Sequence, residues 1–232
     1  MVNIPLYLYQ GRALPRPESL YDYVLDQVGV VKRVESRYAS ADKRLITFPE
    51  SNSEPLTGLQ LAQYTLEPIR PKFPRIPGRL LLDLLADARQ NLSREVMYHV
   101  RYNPTGGWRV TRPDQQGHWS RVGYDEQDQH DIMLEIHSHN TLPAFFSTTD
   151  DRDEQGGRFY GVIGKLDQER PQLVIRLGLY GHWVFNIPGL TLFDNLGPCE
   201  EIYLDPPVMA EPEPRRSFEA FTHLFRRWGN NE

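Results

Sequence analysis

At 232 residues the chain has room for one large domain, or for a catalytic domain of ordinary size with an appendage. A net charge of −5 with no broad basic excess argues against nucleic acid as a partner, and no apolar run approaches the ~18 residues of a membrane helix, so no membrane association is expected. Met1-Val2-Asn3-Ile4-Pro5 lacks the features of a secretory signal, and Cys199 is the only cysteine, which excludes intrachain disulfides and a thiolate zinc cage; a cytoplasmic protein is expected.

The chain opens with a short apolar strand, Leu6-Tyr7-Leu8-Tyr9. Leu20, Val24 and Val28 share one helical face, which predicts a helix from Ser19 to Val28 stopped by Gly29. Two β-like runs follow, around Val30 to Tyr38 and Arg44 to Phe48. From Pro68 to Pro77, four prolines in ten residues exclude helix interior and central strand and favour an extended connector. The boundaries are therefore placed at 1–67 for an N-terminal extension, 68–78 for a linker, 79–207 for the main domain and 208–232 for a tail.

Beyond the linker, Leu80 to Arg89 reads as a leucine-rich helix and Ser93 to Val100 as a strand. Gly107 to Arg112 and His118 to Tyr124 form a predicted hairpin around Pro113 to Gly117. Asp131 to His137 has the apolar run of a buried strand and leads into the most informative segment, Glu135-Ile136-His137-Ser138-His139, followed by Ser147-Thr148-Thr149-Asp150. The pattern is H-x-H-x7-S-x-x-D. Strand side chains alternate faces, so His137 and His139 can grip one metal ion together, with Asp150 as a third ligand. Two imidazoles and a carboxylate leave a tetrahedral position for water, as in catalytic zinc sites, and the pattern predicts a hydrolase.

Ser147 to Asp150 is also a helix start, with a hydroxyl at the N-cap and an acid three residues on. Such a helix is a stiff mount that could aim Asp150 at the metal while Ser147 stays near the bound water. The acidic run Asp151 to Glu154 reads as the solvated first turn of that helix, or as a docking point for arginine in a substrate tail. Three apolar runs follow, Phe159 to Gly164, Leu173 to Leu179 and Trp183 to Ile187. After a proline-rich stretch, Phe218, Phe221, Leu224, Phe225 and Trp228 form the stripe of an amphipathic helix opened by Ser217. The expected fold is α+β, an α-β-α sandwich on a mixed sheet, with a small α/β N-terminal extension and a C-terminal amphipathic helix.

The full H-x-H-x7-S-x-x-D set resembles the JAMM motif of the JAB/MPN zinc metalloproteases, and the element order over about 130 residues resembles the MPN fold. The resemblance implies Zn2+ held by His137, His139 and Asp150, and a catalytic glutamate on the strand after a helix, for which Glu95 is the candidate. Glu95 would move the proton from water to the leaving amine, and Ser147 would hydrogen-bond the water or the developing oxyanion. Glu135, two residues before His137, is the rival carboxylate. The resemblance also implies cleavage after the C-terminal Gly-Gly of a ubiquitin-like protein. Bacterial members associated with E1-like and E2-like proteins, such as the protein A component of PRTRC systems, look most similar because they also carry an N-terminal extension. A non-catalytic scaffold in a conjugation complex, or a zinc hydrolase acting on nucleic acid or a small amide, are the alternatives. Scaffolds of this fold typically lose ligands, whereas here none is lost.

Overall fold

A computed structural model provides the structure, describing residues 4–49, 58–113 and 131–204. By internal contacts the chain divides after Ile202, and the described residues before that point form one compact unit. The predicted amphipathic helix from Ser217 and the second arm of the hairpin, His118 to Tyr124, lie outside the described residues.

The first sheet holds five strands in chain order: β1 (Leu6–Leu8), β2 (Tyr21–Leu25), β3 (Gly29–Glu35), β4 (Ala39–Thr47) and β5 (Arg70–Pro71). β1 runs parallel to β2, and the remaining pairs are antiparallel. The helix expected over Ser19 to Val28 is therefore corrected to a strand and a turn, and the described part of the extension contains strands with no α-helix. Leu20, one of the three residues that suggested a helical face, is exposed. What decides the segment is polar. Asp22 is fully buried and receives Arg33 Nε and Nη2 from the neighbouring strand at 2.8 and 2.6 Å. Asp26 closes the β2–β3 turn: its carboxylate accepts from the backbone N–H groups of Val28 and Gly29 at 2.9 and 2.7 Å, from that of Tyr64 at 2.9 Å, and from Arg44 at 2.8 and 2.7 Å. An aspartate that satisfies the backbone two and three residues on is a turn former, and it outweighs weak helical spacing.

The second sheet is built around α1 (Gly78–Arg89). Leu81, Leu84, Leu85 and Ala88 lie on the buried face of α1, each leucine contributing about 1.5–3 kcal/mol by leaving water. The strands are β6 (Met97–Asn103), β7 (Gly107–Thr111), β8 (Ile132–Ser138), β9 (Phe159–Gly164), β10 (Gln172–Gly178), β11 (Trp183–Val184) and β12 (Glu200–Glu201). Their order is β11-β10-β9-β8-β6-β7, with β12 also paired to β10. β7, the first arm of the predicted hairpin, pairs antiparallel with β6. β8 and β9 are parallel, and their connection carries α2 (Thr148–Asp153).

Tyr98, Val100, Leu134, Ile136, Phe159, Ile163, Ile175 and Leu177 form one apolar face that packs with α1. Val34, Ala39 and Ala41 of the first sheet join the same buried cluster, as does Ile76 at the end of the proline-rich stretch. Between the sheets Lys32, almost wholly buried, donates to the Tyr180 carbonyl at 2.8 Å and sits 3.9 Å from the Tyr21 ring centroid. Burial pulls its ammonium down to about 8. The described residues thus make a mixed α+β fold with two sheets and few helices. No helix among them is long and apolar enough to cross a membrane.

Burial opposes the charge of Asp26, but its hydrogen bonds to Arg44, Tyr64, Gly29 and Val28 together hold its carboxyl below the ordinary aspartate value. The stability this contributes is present above the unfolded aspartate pKa and is lost as pH falls through the lower folded one. Asp26→Ala, which strands Arg44 and the turn amides, should cost about 3–5 kcal/mol in urea unfolding at neutral pH. Asp26→Asn should also flatten the acid limb of the stability profile, and an unchanged limb would contradict the assignment.

Candidate metal centre

Strand register sorts the second sheet into an apolar and a polar face. On the polar face, His99, Glu135, Tyr160 and Arg176 form one row across β6, β8, β9 and β10, and Met97, His137, Val162 and Val174 form the next. β8 ends at Ser138, yet the His139 amide still donates to the Ile163 carbonyl at 2.7 Å, which keeps His139 on the face of His137. Their Nε2 atoms stand 3.2 Å apart, and Asp150 Oδ1 lies 3.6 Å from His137 Nε2. Both imidazoles are buried, while the Asp150 side chain is 17% exposed.

Two of the three ligands are held from behind. His139 Nδ1 lies 3.2 Å from the Pro143 carbonyl; an N–H there donates to that oxygen and leaves the Nε2 lone pair free. Ser147 caps α2: its Oγ accepts from the Asp150 amide at 3.2 Å, and Asp150 Oδ2 accepts from the Ser147 amide at 2.6 Å. That leaves Oδ1 pointing to the histidines. Burial, partly offset by the Asp150 charge, pushes His137 down to about 4, so it is neutral near pH 7, the state that coordinates metal.

The donor chemistry fits a divalent cation. The three ligand atoms lie within 4.8 Å of one another. Two imidazole nitrogens about 2.0–2.1 Å from a tetrahedral zinc ion would stand about 3.3–3.4 Å apart, close to the observed separation. The sequence motif thus brings its two histidines and its aspartate together.

Glu95 sits just ahead of β6, where strand parity continued backwards places it on the polar face; its Oε1 is 4.0 Å from His139 Nε2 and its side chain is 52% exposed. Ser138, between the ligands and on the opposite face, fixes this approach. Its Oγ accepts from the Val96 amide at 2.9 Å, and its amide donates to the Val96 carbonyl at 3.0 Å. Glu135 is instead ion-paired with Arg158. Cys199 is buried, which drives its thiol up to about 12 and leaves it protonated.

The acidic run is solvated only in part, with Arg152 and Asp153 exposed, and the expectation of a wholly solvated turn is corrected at Asp151 and Glu154. Glu154 is buried, and both it and Asp151 bind the fully buried Arg176. Burial raises the Glu154 carboxyl to about 8 despite the arginine. Ser138, the Pro143 carbonyl and Arg176 were absent from the sequence-based site; Arg176 stands inside an apolar strand run that gives no sign of what it faces.

Residues 79–176 match the family model of prokaryotic homologs of the JAB domain. Over this stretch, which is less than half of the chain, the sequence is similar to a JAB domain. The stretch spans α1 through most of β10 and contains Glu95, both histidines, Ser147 and Asp150. The family holds hydrolases as well as non-catalytic members. No match was found among curated proteins.

Gly164 shows how tightly the ligand loop is laid down. A Cβ there would lie 2.2 Å from the Ala144 amide nitrogen and 2.4 Å from the Pro143 carbonyl carbon. Gly164→Ala must lift the loop whose Pro143 carbonyl orients His139. We expect a loss of about 1–3 kcal/mol in stability and at least about tenfold weaker metal binding in chelator competition. Gly106→Ala, whose Cβ would meet nothing closer than 3.8 Å, serves as the control. Metal affinity equal to wild type in Gly164→Ala would show that the loop position is unimportant.

Proposed function

We propose that the protein is a zinc-dependent peptidase or isopeptidase that hydrolyses the bond after the C-terminal Gly-Gly of a ubiquitin-like protein, in deconjugation or precursor processing. The observation that carries this reading is the convergence of His137, His139 and Asp150 beside a half-exposed Glu95. A non-catalytic scaffold has no chemical need of a carboxylate beside a complete ligand set, and here Glu95 Oε1 stands 4.0 Å from His139 Nε2.

A zinc ion held there supplies a Lewis acid that acidifies water and polarises a carbonyl. The residues of the chain do the rest. Glu95 faces both solvent and the ligand cluster, so it takes the proton of the attacking water and returns it to the leaving amine. Ser147 Oγ accepts from the Asp150 amide, which leaves its own hydrogen to donate toward the oxygen on which charge develops. Phe145, whose ring centroid is 4.5 Å from that of His139, and Leu142 are exposed apolar groups beside the cluster. A Gly-Gly tail brings no side chain to collide with them. The expected setting is cytoplasmic, with residues 79–207 as the catalytic domain and E1-like or E2-like proteins handling the same tail as partners.

Metal analysis and cleavage of a Gly-Gly-linked ubiquitin-like fusion test the reading together. Wild type should carry one zinc per chain, and His137→Ala with His139→Ala should carry none. Glu95→Gln should keep zinc and lose at least about a hundredfold in turnover. Normal cleavage by Glu95→Gln with a dead Glu135→Gln would move the proton transfer to Glu135. Zinc on a wild-type protein that cleaves no such fusion would favour the scaffold reading.

A further inference from the structure

α2 carries one of the three metal ligands and has nothing apolar with which to hold itself in place. Its sequence, Thr-Thr-Asp-Asp-Arg-Asp, is six residues long, and none of them is buried. A helix this short is not stable alone, and its capping box fixes its shape without fixing where it sits. Hydrophobic packing cannot set its position, so polar contacts to the rest of the fold must.

Those contacts converge on Arg176 of β10. Its Nη1 pairs with the Asp151 carboxylate, and its Nε and Nη2 donate to Glu154 Oε2 at 2.8 and 2.6 Å. Asp151 adjoins Asp150, and the Glu154 amide donates to the Asp150 carbonyl at 2.8 Å, so both acids are tied directly to the backbone of the ligand residue. The guanidinium is itself fully buried, 3.9 Å from the Phe146 ring centroid and 4.9 Å from that of Trp183. Phe146 directly precedes the Ser147 cap, and Trp183 Nε1 donates to the Glu154 carbonyl at 3.0 Å. An ammonium could supply the charge but not a planar fork that reaches two carboxylates while lying against two rings.

We propose that Arg176 is a positioning residue that clamps α2 through Asp151 and Glu154 and thereby aims Asp150 at the metal. The proposal rests on the metal-binding reading above. It makes metal affinity depend on a side chain that touches no ligand atom.

The test is zinc affinity by chelator competition on the full chain, in a double-mutant cycle of Arg176→Lys with Asp150→Ala, with thermal unfolding of the metal-free proteins as the folding control. Arg176→Lys alone should bind about 10–100-fold more weakly, the scale found when a group orienting a metal ligand is lost. With Asp150 already removed, the two remaining histidines should feel Arg176→Lys by less than about twofold. An equal loss in both backgrounds would mean general loosening and would overturn the clamp. If Arg176→Lys does not fold, Asp151→Asn removes one arm at a partly exposed position and should still weaken binding several-fold; affinity unchanged by it overturns the proposal. Zinc bound normally by wild type and by Arg176→Lys overturns this proposal alone, whereas no zinc on wild type overturns the metal reading and this proposal together.

Discussion

The metal face depends on the parallel ladder between β8 and β9. Antiparallel neighbours can be joined by two residues, but parallel ones need a long crossover, because the chain must travel back to the starting edge before it can pair again. Here the crossover leaves β8 after Ser138 and re-enters at Phe159. Within it lie His139, the Pro143 carbonyl, the Ser147 cap and the Asp150 helix. Placing ligands beyond the carboxyl end of a parallel strand is a consequence of topology, and it puts flexible loop chemistry on a rigid ladder. Gly164 and Ser138 then fasten that loop to the sheet, one by yielding space and the other by hydrogen bonding the approach to Glu95.

A sheet with α1 on one face has a second face to occupy, and this protein fills it with charge. Burying ionisable groups is costly unless each finds a partner, and the row through β6, β8, β9 and β10 provides them. Glu135 meets Arg158, and Arg176 meets Asp151 and Glu154. His99 is pushed down to about 4, first by burial and then by the nearby Arg101 and Arg158, and so stays neutral. Removing a single member would leave its partner buried and unpaired, which is the expensive outcome. The same pairing keeps Glu135 occupied and leaves Glu95, exposed and free of any ion pair to lysine or arginine among the described residues, as the carboxylate beside the histidines that is not itself one of the three ligands.

What could be read from the sequence tracks how local each determinant is. The H-x-H alternation and the Ser147 cap are encoded within a few residues, and the structure brings His137, His139 and Asp150 together as that local logic requires. The helix through Leu80 to Arg89 has a clean apolar stripe, and it forms with an extra residue or two at its start. In the Ser19 to Val28 segment the turn bonds of Asp26 to Val28 and Gly29 are local, but the partners that let Asp22 and Asp26 be buried as charges, Arg33 and Arg44, are remote and come from other strands. Arg176 was invisible for the same reason. In sequence it is one charge in an otherwise apolar strand, and its meaning depends on two acids more than twenty residues earlier. The inward pairing of Asp151 and Glu154 is hidden in consequence, since charge on a short helix looks solvated until its buried counter-charge is known.

The first sheet also reaches the site, through a short chain of contacts. Lys43 of β4 donates to the Trp183 carbonyl, and Trp183 in turn donates through its indole to the carbonyl of Glu154 and lies over Arg176. Lys32, directly opposite Lys43 in the β3–β4 ladder, bonds the Tyr180 carbonyl a few residues before. Two lysines facing each other would repel, and their arrangement is tolerable because each ammonium is turned onto a backbone carbonyl of the second sheet. These bonds hold the β10–β11 turn and the strand that supplies Trp183. With Val34 and Ala41 sealing the shared core beside them, the extension braces the wall against which Arg176 stacks, and the geometry at Asp150 is thereby tied to residues more than a hundred positions earlier in the chain.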